Sequence, residues 1–272
     1  VSLLVYSKHF SVNMSNIDFL QTFAHNFCFS LTEQFKNSLI YNTVNMINIS
    51  MIRTNQSVSK EVTKMLWGGY YFSTASCMIF FDNITVENFK YGLYITNKNF
   101  LTTNILHLRL SITKSIFLNN NSTKSGAALH VRLTFCQVIA VVIKIHRSKF
   151  INNNVKGHGG AIFLTTNACK IPLQFLISSS VFKYNNALIS GGSLYCGSKI
   201  FCSIESCSFL SKVSYQKTKG TLIYSNSLIK ITNTSLTYMH TPGSQASSVN
   251  ILYIVQSKST DSVQTLNMTI NC

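Results

Sequence analysis

The sequence predicts an all-β chain wound as a right-handed, single-stranded parallel β-helix, a fragment of a longer solenoid. Three observations predict it. A glycine followed by small or apolar residues recurs along the chain, and a phenylalanine with asparagines close behind recurs nine to eleven residues before each central glycine. Between these units lie β-branched stretches, and helical periodicity is almost absent.

The glycine units are Gly69-Tyr-Tyr-Phe72, Gly92-Leu-Tyr-Ile95, Gly126-Ala-Ala-Leu129, Gly160-Ala-Ile-Phe163, Gly192-Ser-Leu-Tyr195 and Gly220-Thr-Leu-Ile-Tyr224. Double glycines stand at 68–69, 159–160 and 191–192, and the second glycines are spaced by 23, 34, 34, 32 and 28 residues. The phenylalanine units are Ser115-Ile-Phe-Leu-Asn-Asn120, Ser148-Lys-Phe-Ile-Asn-Asn153 and Ser180-Val-Phe-Lys-Tyr-Asn-Asn186, with a degenerate copy at Ser208-Phe209. Stretches such as Leu106–Ile112, Val138–Ile145 and Leu173–Ile177 supply the third strand of each repeat. The turns are not the Asn-Gly type of a hairpin meander. No amphipathic helix separates the strands as a βαβ fold requires, and only Leu31–Ile40 could pass for one. Parallel coils stacked about 4.8 Å apart fit the pattern, and strand twist makes them right-handed.

The chain therefore reads as one domain over 1–272, with clear repeats at 68–224 and divergent coils at 1–67 and 225–272. Those outer parts keep only alternation, as in Val44-Met46 and Ile251-Tyr253, and the ending at 265–272 looks like a coil cut short. The register predicts Phe117, Phe150 and Phe182 as one interior stack, with Asn120, Asn153 and Asn185 as a ladder at the adjoining turn. Gly126, Gly160 and Gly192 are expected where the neighbouring coil leaves no room for a Cβ.

Composition agrees. Of 272 residues, 46% are hydrophobic and 11% charged, and polar surface comes from 27 Asn, 36 Ser and 24 Thr. With two prolines, collagen-like and Pro-rich classes are excluded. The net charge of +16 would attract polyanions, but it arises from scarce acids rather than a basic run, so no specific nucleic-acid binding is expected. The longest apolar run, Val138–Ile143, is strand-sized, and no membrane span is expected.

The paired signatures Phe150-Ile-Asn-Asn153 and Gly159-Gly160-Ala161-Ile162 resemble the repeats of polymorphic outer-membrane proteins and of animal and protist extracellular β-helix proteins. The resemblance spans about residues 68–224, and the copies at 115–129 and 180–195 depart from it, with Ala128-Leu129 and Ser193-Leu194 in place of Ala-Ile. It implies a surface or secreted scaffold, associated with adhesion, whose repeat carries no catalytic residues and no cofactor.

Cys136, Cys169 and Cys202 are 33 residues apart, close to the repeat, and are expected in one column. A Cys169–Cys202 disulfide, a ladder of reduced thiols and, more weakly, a metal site remain alternatives; a metal is disfavoured because no Cys-x2-Cys pair occurs. Among eight sequons, Asn120 and Asn121 are the best-placed acceptors and Asn83 a further candidate, although composition alone gives about six. The seven acids include one neighbouring pair, Asp82 and Glu87, the only defensible carboxylates for the sugar chemistry that other parallel β-helices carry. His158 reads as a turn residue within a glycine unit. Trp67 is expected to pack at a coil edge or to stack on a sugar. The expected function is a non-enzymatic extracellular or cell-surface scaffold contacting glycans or other surface proteins, the alternative a carbohydrate-active enzyme or polysaccharide-binding module.

Overall fold

The computed structural model describes residues 3–7, 11–21, 29–33, 42–53, 70–73, 76–96, 105–134, 137–167, 173–212, 221–239, 251–255 and 266–271. Trp67, Gly68, Gly69, Cys136, Cys169 and Gly220 lie outside them. The fold is an all-β parallel solenoid. A nine-stranded sheet runs from Leu3–Ser7 through Leu93–Thr96, Leu129–Thr134, Ile162–Asn167 and Leu194–Cys196 to Leu252–Ile254. A fourteen-stranded sheet takes the long strands, among them Ser76–Asp82, Ile105–Thr113, Gln137–His146, Leu173–Ser178 and Ile200–Glu205. It bends and continues through Thr85–Glu87, Ile116–Leu118, Lys149–Ile151, Val181–Lys183 and Ser208–Lys212. A three-stranded sheet of Asn121–Ser122, Asn154–Val155 and Asn186–Ala187 closes the central coils. Every strand pair is parallel, so each residue stands on its equivalent in the next coil.

The central coils thus have four strands rather than three, because the two-residue Asn121–Ser122 type of segment is too short to leave a periodic signature. Phe29–Glu33 is a strand in the nine-stranded sheet, which overturns a helix beginning at Leu31; residues 34–41 lie outside the described set. The divergent ends join the same sheets: Ser11–Gln21 pairs with Asn42–Arg53, and Ile223–Ser225 with Leu252–Ile254.

The bend of the fourteen-stranded sheet is a column of left-handed residues: Asn16, Asn48, Asn83, Lys114, Arg147, Ser179, Ser206 and Asn233, with φ between 48° and 53°. Non-glycine residues resist this conformation. The next position compensates. Ser115, Ser148 and Ser180 donate their hydroxyls to the carbonyls of Thr113, His146 and Ser178 at 2.7, 3.0 and 2.8 Å. The same oxygens accept the N–H of the preceding coil: Ile84 to Ser115, Ser115 to Ser148 and Ser148 to Ser180, at 3.2, 3.2 and 3.1 Å. Cys207, not Ser208, continues this column, because Ser208 pairs with Val181 and Cys207 donates its thiol to the Glu205 carbonyl.

The phenylalanines stack as expected. Centroids of Phe117 and Phe150 are 5.1 Å apart, those of Phe150 and Phe182 4.8 Å, and those of Phe182 and Phe209 4.4 Å, all within 5° of parallel. All four rings are fully buried.

The glycine column is shifted by one residue. Leu129 pairs with Ile162 and Ile162 with Leu194, so Gly126 stands on Gly159 and Gly191, while Ala127 stands on Gly160 and Gly192. Two needs are served by the two positions. Gly126, Gly159 and Gly191 share φ of +62°, and a Cβ at Gly160 would overlap the Gly192 carbonyl oxygen.

Candidate functional surface

The interior polar groups act between coils. Asn120 donates Nδ2–H to the Val86 carbonyl at 3.2 Å and to Asn153 Oδ1 at 2.9 Å; Asn153 donates to the Phe117 carbonyl at 3.0 Å and to Asn185 Oδ1 at 2.9 Å. Each Oδ1 also accepts a backbone N–H: Phe89 to Asn120, Asn120 to Asn153 and Asn153 to Asn185. Asn120 has no exposed surface, which removes it as a glycan acceptor. Its neighbour Asn121 faces out, and so does Asn83 at the bend, where its amide donates to Asn48 Oδ1 at 2.9 Å. The inward member of each Asn–Asn pair is the one three residues after a stacked phenylalanine, at Asn120, Asn153 and Asn185.

Among the described side chains the carboxylates are Asp82, Glu87 and Glu205. Asp82 accepts the Thr113 hydroxyl at 2.5 Å, and Glu87, beyond the Asn83 bend, accepts the amides of Asn119 and Asn88 at 3.3 and 3.4 Å. Neutral donors hold both, and the two occupy different arms of the bent sheet. The column of Asp82 continues through Thr113, His146 and Ser178 to Glu205. Four coil steps of about 4.8 Å put Asp82 about 19 Å from Glu205, beyond the 5–9.5 Å of paired-carboxylate glycoside hydrolysis. Among the described residues no group of three or more His, Cys, Asp or Glu could hold a metal, and no helix is long and apolar enough to cross a membrane.

The outer face of the nine-stranded sheet carries a feature the sequence reading missed. Tyr94, His130, Phe163, Tyr195, Tyr224 and Tyr253 stack one per coil, with centroid separations of 4.6, 5.0, 5.1, 4.8 and 5.4 Å. In the sequence these rings fall at the third to fifth position counted from the glycine of a unit, and Tyr253 follows no glycine unit, so a varying offset and mixed ring types disguise the ladder. His130 is buried in this ladder between Tyr94 and Phe163, with Nδ1–H donating to the Ser125 carbonyl at 2.7 Å. Burial, assisted by the charges of Arg132 and Lys124, pulls its pKa down to about 4. His158 lies beside Phe163 and Tyr195, bonded through Nδ1 to the Ser190 hydroxyl at 2.6 Å, and burial lowers its pKa also. It is the turn residue expected from the sequence. Because the rings stack on one another, their edges rather than their faces meet solvent, which leaves little room for sugar-face stacking.

Exposed cations cluster at the bend. Lys144, Arg147 and Lys149 project from one coil, and Lys114 occupies the Arg147 position of the coil before.

The column expected for the cysteines is not that of Cys202. Cys202 pairs with Phe175 and Ile229, and its sulfur lies 3.2 Å from that of Cys196. No family model, curated protein or solved structure matches the chain.

Proposed function

We propose that the chain is a non-enzymatic extracellular or cell-surface scaffold that presents its outer sheet faces for adhesive or matrix contact. The observation that carries this reading is the allocation of buried polar groups. The Ser115, Ser148 and Ser180 hydroxyls and the Asn120, Asn153 and Asn185 amides each join neighbouring coils. Such columns make a stiff rod that displays side chains at the coil spacing, and their stability grows with each added coil. Incubation with a panel of neutral, uronic-acid and sulfated polysaccharides tests the reading. No turnover is expected; turnover abolished by Asp82→Asn would overturn it.

A second reading, a polysaccharide-binding module, is favoured by the cations Lys114, Lys144, Arg147 and Lys149 within two neighbouring coils. Four such charges would give salt-sensitive attraction to a sulfated or uronic-acid chain. Retention on immobilised heparin at about 150 mM salt, lost in the quadruple Ala variant, would support it. Elution at low salt would remove it.

A further inference from the structure

We propose that Cys196 and Cys202 form a disulfide that clasps the turn between the two large sheets within a single coil. Cys196 ends the strand Leu194–Cys196, the chain turns through Gly197, Ser198 and Lys199, and Cys202 enters the next sheet in Ile200–Glu205. Both side chains point into the core with no exposed surface, and both are thiols in this structure, their sulfurs 3.2 Å apart. In the preceding coil the same two positions hold Leu164 and Phe175, and in the following one Ser225 and Ile229. Among the described residues this coil alone faces sulfur with sulfur, and its turn is shorter than the link from Asn167 to Leu173 before it. Cys207, the nearest other described cysteine in sequence, is engaged with the Glu205 carbonyl in the bend column.

The bond forms by two exchanges with a low-molecular-weight disulfide such as oxidised glutathione. One protein thiolate attacks the glutathione disulfide and releases one glutathione thiolate. The second protein thiolate then attacks the protein-bound sulfur and releases the other, so that two protons and two electrons leave the protein and glutathione disulfide is reduced to two thiols. Burial raises the Cys202 thiol pKa well above its ordinary value, so the exchange belongs to folding, before the coil at 221–239 covers the pair. Once formed, the bond is shielded from reductant by the same burial.

The test is refolding of the full chain in a reduced and oxidised glutathione buffer, followed by thiol blocking in denaturant and peptide mapping. A Cys196–Cys202 linked peptide is expected, two hydrogens lighter than its thiol form. In the Cys196→Ser variant, Cys202 should become fully alkylated after denaturation. Complete alkylation of both residues in the wild-type chain, or linkage of either to a different cysteine, would overturn the proposal. Because the buffer supplies the oxidant, this result does not depend on the extracellular reading.

Discussion

Asn153 lies directly beneath Asn120, its Oδ1 accepting both the side-chain Nδ2–H at 2.9 Å and the backbone N–H at 3.2 Å of that residue. One buried amide therefore closes two gaps in the coil above, and its own donor closes a third at the Phe117 carbonyl. Removal of such a group strands several partners away from water, and each stranded group costs about 1–3 kcal/mol. Asn153→Ala is expected to destabilise the chain by about 3 kcal/mol or more, measured as a fall in denaturant midpoint. Asn121→Ala, at an exposed neighbouring position, should stay within about 0.5 kcal/mol.

The two aromatic ladders should respond differently. Phe150 fills the interior between Phe117 and Phe182, and Phe150→Ala should cost about 3–5 kcal/mol. Phe163 stands half-buried on the outer face between His130 and Tyr195, where truncation loses ring contacts but opens no internal cavity. Phe163→Ala should cost about 1–2 kcal/mol. Equal losses in chemical denaturation would contradict the assignment of inside and outside.

The His130 ring makes stability depend on pH. Its pKa is about 4 when folded against 6.5 ordinarily. Above pH 6.5 the ring is neutral in both states and its contribution is complete. As pH falls from 6.5 to 4 the unfolded chain binds the proton and the folded chain does not, so stability falls by about 3 kcal/mol. Below pH 4 this contribution changes no further. His158 acts in the same direction. Replacement of His130 by Phe should flatten the decline of unfolding midpoint between pH 6.5 and 4; an unchanged slope would show that the ring titrates normally.

Repetition explains what could be read from the sequence. The Phe117, Phe150 and Phe182 column was legible because identical large residues recur at nearly constant spacing, and a parallel sheet turns that spacing into contact. The glycine register was misjudged at Gly126, because in a Gly-Gly pair one member supplies the positive φ and the other the close approach, and a lone glycine does not say which. The serine column at the bend was hidden by the abundance of serine, since its role lies in hydroxyl geometry rather than in residue type. The cysteine spacing misled because coil length varies: only 27 residues separate Phe175 from its partner Cys202, against 32 from Ile143 to Phe175. A spacing of 33 therefore no longer marks a column there. Asn120 was legible as a ladder residue and illegible as a buried one at once, because the same Asn-Asn pair also makes a sequon.

The stacked register is the claim on which the scaffold reading depends, and ring contacts test it most directly. In protein labelled selectively at phenylalanine, nuclear Overhauser spectra should show Phe150 ring protons contacting those of both Phe117 and Phe182, as centroid separations of 5.1 and 4.8 Å require. Phe117 and Phe182, two coils apart, should show no direct cross-peak, and none of the three should be quenched by a soluble paramagnetic probe. A Phe117–Phe182 contact, or quenching of Phe150 by the probe, would contradict the parallel coil register and with it the account of what the buried columns do.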